Sequence, residues 1–167
     1  MSNVRKIEDV LKEDRLFVST TVGVSMYPML RNRRDTIIIE PYEGRLKKYD
    51  IPLYKRGSRY VLHRIVDVLP DSYVICGDNC IEKEYGITDE HILGVMTGCY
   101  RGKKRLNLDS PIYKAYAYVW CGIFPVRRFV KRVRGKLAAI VRRICGRGCF
   151  VQAREETLRD DVSPRKE

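Results

Sequence analysis

Residues 59–69 read Arg-Tyr-Val-Leu-His-Arg-Ile-Val-Asp-Val-Leu, the longest run in the chain with the composition of a β-strand. The run is rich in β-branched and other apolar side chains, which favour the pleated, half-buried surface of a sheet. If it forms one strand, its side chains alternate between two faces, and Val61, His63 and Ile65 share one of them. The pattern therefore predicts a partly buried histidine in the longest strand of the protein.

Shorter runs of the same kind lie on both sides of this stretch. Turn formers such as Gly57-Ser58, Pro70-Asp71 and Gly77-Asp78-Asn79 separate them, and no helical periodicity intervenes. Many short strands joined by tight turns predict a mainly β protein with a small antiparallel barrel or folded sheet. The runs are residues 16–22, 36–40, 51–55, 72–77 and 91–100.

The chain of 167 residues can bury one core, so one domain with appended segments is expected. Apolar residues at helical spacing predict a short N-terminal helix within residues 1–15. The β-rich core is expected to follow over residues 16–108, and an aromatic and basic helical segment over 109–149. Residues 150–167 are polar and of mixed charge, and we expect them to form a disordered tail.

Most of the net charge of +12 comes from the helical segment, because residues 111–149 hold 10 basic and no acidic side chains. Beyond Pro125 the basic residues alternate with an apolar stripe at helical spacing. The aromatic run that precedes this helix is too short in apolar residues to cross a bilayer; its rings are Tyr113, Tyr116, Tyr118, Trp120 and Phe124. The run and the basic helix together suit a membrane surface, where aromatic rings lie at the headgroups and cations contact anionic lipid. Packing on the β core and nucleic-acid binding are the alternatives. A nearly neutral core without an aromatic platform argues against a nucleic-acid partner.

The N-terminal residues 1–14 are charged throughout and lack the apolar core of a secretory signal. We therefore expect a cytoplasmic location, with peripheral attachment to the inner face of the membrane through residues 111–145. The six cysteines are then expected to stay reduced. Since their spacing is not that of a zinc site, neither a metal nor another cofactor is expected.

Ser25 lies in a second informative stretch, residues 21–30, which read Thr-Val-Gly-Val-Ser-Met-Tyr-Pro-Met-Leu. Gly23 can adopt backbone angles that are closed to other residues, and Pro28 fixes its own φ. Ser25 is therefore predicted on a constrained, non-helical segment. A serine held in this way is either a nucleophile or an ordinary turn residue.

His63 is the candidate partner for this serine. A buried neutral imidazole needs hydrogen bonds on both nitrogens, and a serine hydroxyl with a carboxylate would supply them in the geometry of acyl transfer. The alternative is a histidine with a purely structural role. The turn Gly77-Asp78-Asn79 can expose a carboxylate, and Glu82 and Glu84 follow closely, so candidate orienting acids are at hand.

Five short motifs occur in order: Gly23-x-Ser25-Met26-x-Pro28, residues 49–54, His63-Arg64-Ile65-Val66, Gly77-Asp78-Asn79 and residues 92–96. Together, over roughly residues 20–98, they resemble the type I signal peptidase superfamily. Histidine at the base position is similar to the endoplasmic-reticulum and archaeal members. The resemblance implies a signal peptidase-like β core and a serine–histidine peptidase with an acidic third group.

The resemblance also implies roles for individual residues. They are nucleophile for Ser25, general base for His63, orienting acid for Asp78 or Glu84, and substrate contact for Met26 and Pro28. Gly23 stands where most members have a serine, so the oxyanion would be bound by the backbone N–H groups of Ser25 and a neighbour.

We therefore expect a serine endopeptidase that cleaves a peptide or protein precursor near a membrane surface, with small residues before the cut. Family members usually carry an N-terminal membrane anchor that this sequence does not show, which argues against removal of signal peptides from exported precursors. Two alternatives remain open. The Gly-x-Ser-Met pattern also resembles the self-cleaving domain of LexA-type repressors, although those use a lysine base. The β core could also be a non-enzymatic, membrane-associated binding module.

Overall fold

The computed structural model describes residues 5–144. The described helices and strands, in chain order, are α1 Ile7–Glu13, β1 Phe17–Thr20, β2 Asp35–Glu40, β3 Pro52–Arg56, β4 Arg59–Leu62, β5 Arg64–Val68, β6 Tyr73–Cys76, β7 Glu84–Ile87, β8 Ile92–Arg101, β9 Lys104–Leu106, α2 Pro111–Gly122 and α3 Phe124–Ile144. A single 3-10 turn, Asp89–His91, precedes β8.

The strands form two antiparallel sheets. The first has six strands in the order β1-β2-β8-β3-β4, with β9 paired to β8, and it curls like half a barrel. The second has three strands in the order β5-β6-β7. The prediction of a mainly β protein with a short N-terminal helix and C-terminal helices is confirmed.

The longest predicted strand, residues 59–69, is in fact two strands in different sheets. β4 ends at Leu62, which pairs with Leu53 of the first sheet, and β5 begins at Arg64, which pairs with Cys76 of the second. His63 is the residue between them, so its placement on one face of a continuous strand was wrong. The alternation of side chains continues without interruption from β4 to β5. It therefore does not show that the chain passes from one sheet to the other at His63. His63 is nevertheless buried, with 6% of its surface exposed.

Two strands, β7 and β9, were not predicted from the sequence. β7 reads Glu-Tyr-Gly-Ile, and its Gly86 has a φ of +74°, a conformation that glycine adopts readily and that breaks the pattern of a regular strand. β9 reads Lys-Arg-Leu and has little apolar content. β7 matters for function because it carries Glu84 at its first position.

Two apolar clusters form the core. Met26, Met29 and Leu30 of the serine-bearing stretch belong to the first cluster, together with residues of the first sheet and Leu11 of α1. Residues of the second sheet, among them Ile65, contribute to the second cluster. The serine-bearing stretch is thus fixed by buried side chains that follow Ser25 directly.

The chain divides into two compact units, the first ending at Phe124 and the second beginning at Pro125. The predicted helical segment 109–149 spans this boundary. α2 begins as expected, with Pro111 at its first position and the Ser110 hydroxyl accepting a hydrogen bond from the Tyr113 N–H at 3.2 Å. The predicted tail, residues 150–167, lies outside the described residues. Within residues 5–144, no helix has an apolar stretch of the length needed to span a bilayer.

Candidate active site

Ser25 lies in a tight loop between β1 and β2. Gly23 has a φ of +100°, which favours glycine, and its N–H donates to Oδ1 of Asn32 at 2.9 Å. Ser25 itself is half-buried, and its hydroxyl makes no hydrogen bond to any residue within 5–144. The peptide bond before Pro28 is cis. The loop therefore holds the backbone of Ser25 firmly and leaves its side chain to rotate.

The turn Gly77-Asp78-Asn79 packs against the backbone of the serine loop. The Asn79 N–H donates to the Ser25 carbonyl at 2.6 Å, and its Nδ2 donates to the Val24 carbonyl at 3.1 Å. A Cβ on Gly77 would lie 2.7 Å from the Ser25 carbonyl oxygen and 2.9 Å from Nε2 of His63. Only glycine fits between these groups, so Gly77 lets the serine loop and the imidazole approach each other closely.

Glu84 is the carboxylate that contacts His63. Its Oε1 lies 3.0 Å from Nδ1 of the imidazole. With Nδ1–H donating to this carboxylate, the lone pair of a neutral ring is on Nε2, the nitrogen that faces Gly77. Burial lowers the pKa of His63, and the charge and hydrogen bond of Glu84 oppose that shift only in part. The ring is therefore neutral at pH 7 and able to accept a proton at Nε2.

Two further residues, Arg56 and Tyr54, contact Glu84 and His63 and hold them in place. Neither was identified as a site residue from the sequence. Arg56, at the end of β3, donates from Nη1 to Oε2 of Glu84 at 2.9 Å. The buried Tyr54 hydroxyl lies 3.2 Å from Nδ1 of His63, and burial, together with the charge of Glu84, raises the pKa of this phenol. The first sheet thus supports a carboxylate that belongs to the second sheet.

Asp78, the other candidate acid, pairs with a different residue. Nε of Arg64 donates to Oδ1 at 2.8 Å and Nη2 donates to Oδ2 at 2.8 Å, a bidentate ion pair in which both side chains are buried. The Tyr116 hydroxyl donates to the same Oδ2 at 3.1 Å. Asp78 acts on the pKa of His63 only through its charge, as a minor influence. The two acids suggested by the sequence therefore occupy different positions.

Arg64 is completely buried and all of its N–H groups have acceptors. In addition to Asp78, Nη1 donates to the Tyr49 carbonyl at 3.2 Å and to the Tyr113 hydroxyl at 2.9 Å, and Nη2 donates to Sδ of Met29 at 3.0 Å. Burial alone would lower its pKa, but the hydrogen bonds and charge of Asp78 outweigh burial and raise it. The permanently charged guanidinium thus ties together the turn, the serine-bearing stretch and α2.

α2 covers this ion pair with an aromatic face. The rings of Tyr113 and Tyr116 lie 5.7 Å and 5.9 Å from the guanidinium carbon of Arg64, and the indole N–H of Trp120 donates to the Asp78 carbonyl at 2.9 Å. These three rings were assigned from the sequence to lipid headgroups or, alternatively, to packing on the core. The structure has them packed on the core, whereas Tyr118 on the same helix is exposed.

Met26 and Pro28, the two predicted substrate contacts, differ in how deeply they are buried. Met26 is buried in the first apolar cluster with 4% of its surface exposed, so its side chain packs the core and does not line an open surface. Pro28 is half-buried. The exposed apolar side chains next to Ser25 are Val22, Val24 and Tyr27. The pattern of the stretch did not separate its inward from its outward side chains because the loop has no regular period.

A thiol also lies near the imidazole. Sγ of Cys80 would be 2.8 Å from a Cβ on Gly77, close to the point that faces Nε2 of His63. Among the described residues, no group of three or more His, Cys, Asp or Glu side chains is arranged to hold a metal ion. The chemistry near His63 therefore has two candidate nucleophilic atoms, in Ser25 and Cys80.

Comparison of the chain with models of known protein families, with curated proteins and with solved structures finds no match. The chemistry of the site therefore has to be inferred from its own residues.

Proposed function

We propose that this protein is a serine endopeptidase of the signal peptidase type, in which Ser25 is the nucleophile, His63 the general base and Glu84 the acid that orients the base. One observation carries the proposal: Glu84 binds Nδ1 of the imidazole, and Nε2 faces the glycine against which the Ser25 backbone packs. A buried histidine with one nitrogen on a carboxylate and the other directed at a serine loop is the arrangement of a hydrolytic triad.

The reaction begins with rotation of the Ser25 side chain toward Nε2, since catalytic hydrogen bonds often form only when substrate binds. Ser25 Oγ attacks the scissile carbonyl while Nε2 accepts its proton. His63 then gives this proton to the leaving amine, and an acyl-enzyme forms. Water, deprotonated by the same nitrogen, hydrolyses the ester and returns Ser25 to its starting state.

Backbone N–H groups would stabilise the oxyanion of the tetrahedral intermediate. Gly23 has no side chain to contribute. The N–H groups of Ser25 and Met26 donate to no acceptor within the described part of the chain, so they remain available to a bound substrate. A pair of such donors is a common source of transition-state stabilisation in acyl transfer.

The substrate would bind as an extended strand beside residues 22–24. Strand addition uses backbone hydrogen bonds for affinity and alternate side chains for selectivity. Val24 and Tyr27 are the exposed apolar side chains that would contact it, in place of Met26. Resemblance to the signal peptidase superfamily implies a peptide or protein precursor with small residues before the cut.

Labelling with a fluorophosphonate, a serine-directed probe, tests the proposal. We expect labelling of the full chain at Ser25, identified by mass spectrometry of the labelled peptide, and loss of labelling in Ser25→Ala. Ser58→Ala, which removes an exposed serine from the β3–β4 turn, is the matched control and should label fully. Peptide cleavage that survives in Ser25→Ala and disappears in Cys80→Ala would assign the nucleophile to the thiol. A chain that never reacts would favour the non-enzymatic binding module.

The pH dependence of cleavage should report the lowered pKa of His63. The base is active when neutral, so kcat/KM should stay constant as the pH falls through 6.5, the ordinary value for histidine, and decline only at lower pH. Glu84 raises this pKa, so Glu84→Gln should move the acid limb to still lower pH while also lowering kcat. Asp67→Asn, at an exposed carboxylate on β5, is the control and should leave the profile unchanged. An acid limb above pH 6.5 would contradict the assignment.

A further inference from the structure

α3, Phe124–Ile144, has two chemically distinct faces. Seven large apolar side chains follow one another at helical spacing along one side, and each has between 38% and 69% of its surface exposed. They are Val126, Phe129, Val130, Val133, Leu137, Ile140 and Val141. An exposed apolar stripe of this length is uncommon on a protein surface and indicates a partner. We refer to these seven residues as the α3 stripe.

The rest of the α3 surface is positively charged. Eight basic residues flank or oppose the stripe, and the whole of residues 111–149 contains no aspartate or glutamate. They are Arg127, Arg128, Lys131, Arg132, Arg134, Lys136, Arg142 and Arg143. Arg134, Lys136, Arg142 and Arg143 are exposed, and α3 has no acidic residue of its own, so a partner of this surface meets a row of cations.

We propose that α3 lies flat in the surface of a membrane that contains anionic lipid, with the α3 stripe among the acyl chains and the basic residues at the headgroups. A helix of 21 residues has a length of about 31 Å at 1.5 Å per residue. In-plane helices of this kind bury one apolar face at the headgroup boundary and gain further affinity from anionic lipid. The inference is independent of the proposed peptidase chemistry, because no residue of α3 takes part in it.

A lipid surface fits both faces of α3, whereas two other partners fit only one. A nucleic acid would neutralise the cations through its phosphates but would leave the apolar stripe in water. A second copy of the chain could cover the stripe, but Arg134 and Lys136, which border it on opposite sides, would then face the same charges on the partner helix. Of these three partners, only anionic lipid supplies an apolar layer and negative charge together.

Co-flotation of the full chain with vesicles tests the proposal. We expect binding to phosphatidylcholine vesicles that contain about one third phosphatidylserine, and at least about tenfold weaker binding to phosphatidylcholine alone, because each basic residue near the surface adds to the affinity. Raising the salt concentration should reduce the difference between the two vesicles, since screening weakens the attraction.

Two pairs of variants separate the contributions of the two faces. Val133→Ser with Leu137→Ser should weaken binding at least about tenfold by removing apolar side chains from the stripe. Ala138→Ser with Ala139→Ser makes the same kind of change on the polar face and should bind like the wild type. Arg134→Gln with Lys136→Gln should lower binding only to anionic vesicles. Lys103→Gln with Arg105→Gln removes the same charge from the exposed β8–β9 hairpin and should leave binding unchanged.

Three results would overturn the proposal. They are equal binding to neutral and anionic vesicles, self-association by sedimentation that is lost in the stripe variant, and binding to duplex nucleic acid that exceeds vesicle binding. Fluorophosphonate labelling tests the proposed peptidase activity separately. Failure of vesicle binding would therefore not contradict that activity.

Discussion

Replacing Ser25 with alanine is expected to lower kcat for peptide cleavage by about 10⁴- to 10⁶-fold, the range seen when a triad member is removed. The Ser25 oxygen forms the bond to the acyl group, so its loss leaves only binding and oxyanion stabilisation to assist water. His63→Ala should cost about the same, because an unactivated hydroxyl is a poor nucleophile. The measurement is the initial rate on a peptide mixture, with products identified by mass spectrometry.

The double variant Ser25→Ala/His63→Ala distinguishes a catalytic pair from two unrelated residues. If the two act as a unit, the double variant should be no slower than either single variant, because the second substitution removes a function that is already lost. Ser58→Ala and His91→Ala are the matched controls. Both residues are exposed, and neither belongs to the candidate active site. Losses that multiply in the double variant, or equal losses in the controls, would contradict the mechanism.

The second large effect is expected on stability. Asp78→Ala should lower the free energy of unfolding by about 3–5 kcal/mol, because it leaves the guanidinium of Arg64 buried without its counter-ion. The ion pair is almost inaccessible to solvent, with side-chain exposures of 0% and 2%. For a chain of this size the melting temperature should fall by roughly 10 °C or more. Urea unfolding followed by circular dichroism measures the effect directly.

An exposed ion pair is the control for this prediction. Asp109→Ala removes the partner of Lys114 at the start of α2, where both side chains are well exposed, and should leave stability nearly unchanged. Arg64→Met combined with Asp78→Leu removes both charges and should recover much of the stability lost in Asp78→Ala. A double variant less stable than Asp78→Ala would show that the ion pair is not the source of the effect.

The variants Glu84→Gln and Asp78→Ala also separate the roles of the two acidic residues. Glu84 hydrogen-bonds His63 near the surface, so Glu84→Gln should change the pH profile and rate with little change in stability. In the proposed mechanism Asp78 is a positioning residue, since it holds Arg64 and the turn that packs on Ser25. Its loss should therefore appear in unfolding as well as in activity. An unchanged unfolding midpoint for Asp78→Ala would remove this distinction.

Much of the fold could be predicted from the sequence because strand composition and turn formers are local signals. β2, β3, β6 and β8 lie close to their predicted positions. The break at His63 could not be predicted, since it depends on which strands pair with the chain before and after it. β7 was missed because a charged residue, a glycine and a short length give it no apolar alternation.

Part of the candidate site was also predictable, because some of its residues form motifs that are local in the sequence. Ser25, His63 and the glycine turn carry recognisable residue types, and the structure brings the serine loop, the imidazole and the turn together. Arg64 was overlooked because arginine is normally exposed, and its acceptors come from four separate segments. The sequence could not show which of Asp78 and Glu84 contacts His63, because that depends on where each side chain points in the folded protein.

Arg64 and Gly77 belong to a set of residues by which the same arrangement could be recognised in other proteins. The residues that cannot be exchanged independently are Arg64, the turn Gly77-Asp78-Asn79, and the aromatic spacing Tyr113-x-x-Tyr116-x-x-x-Trp120. In the proposed mechanism none of them reacts with the substrate, so a change of substrate would not by itself favour their replacement. A distant chain that has lost every catalytic residue but keeps this set would be expected to retain the same local architecture with a different use.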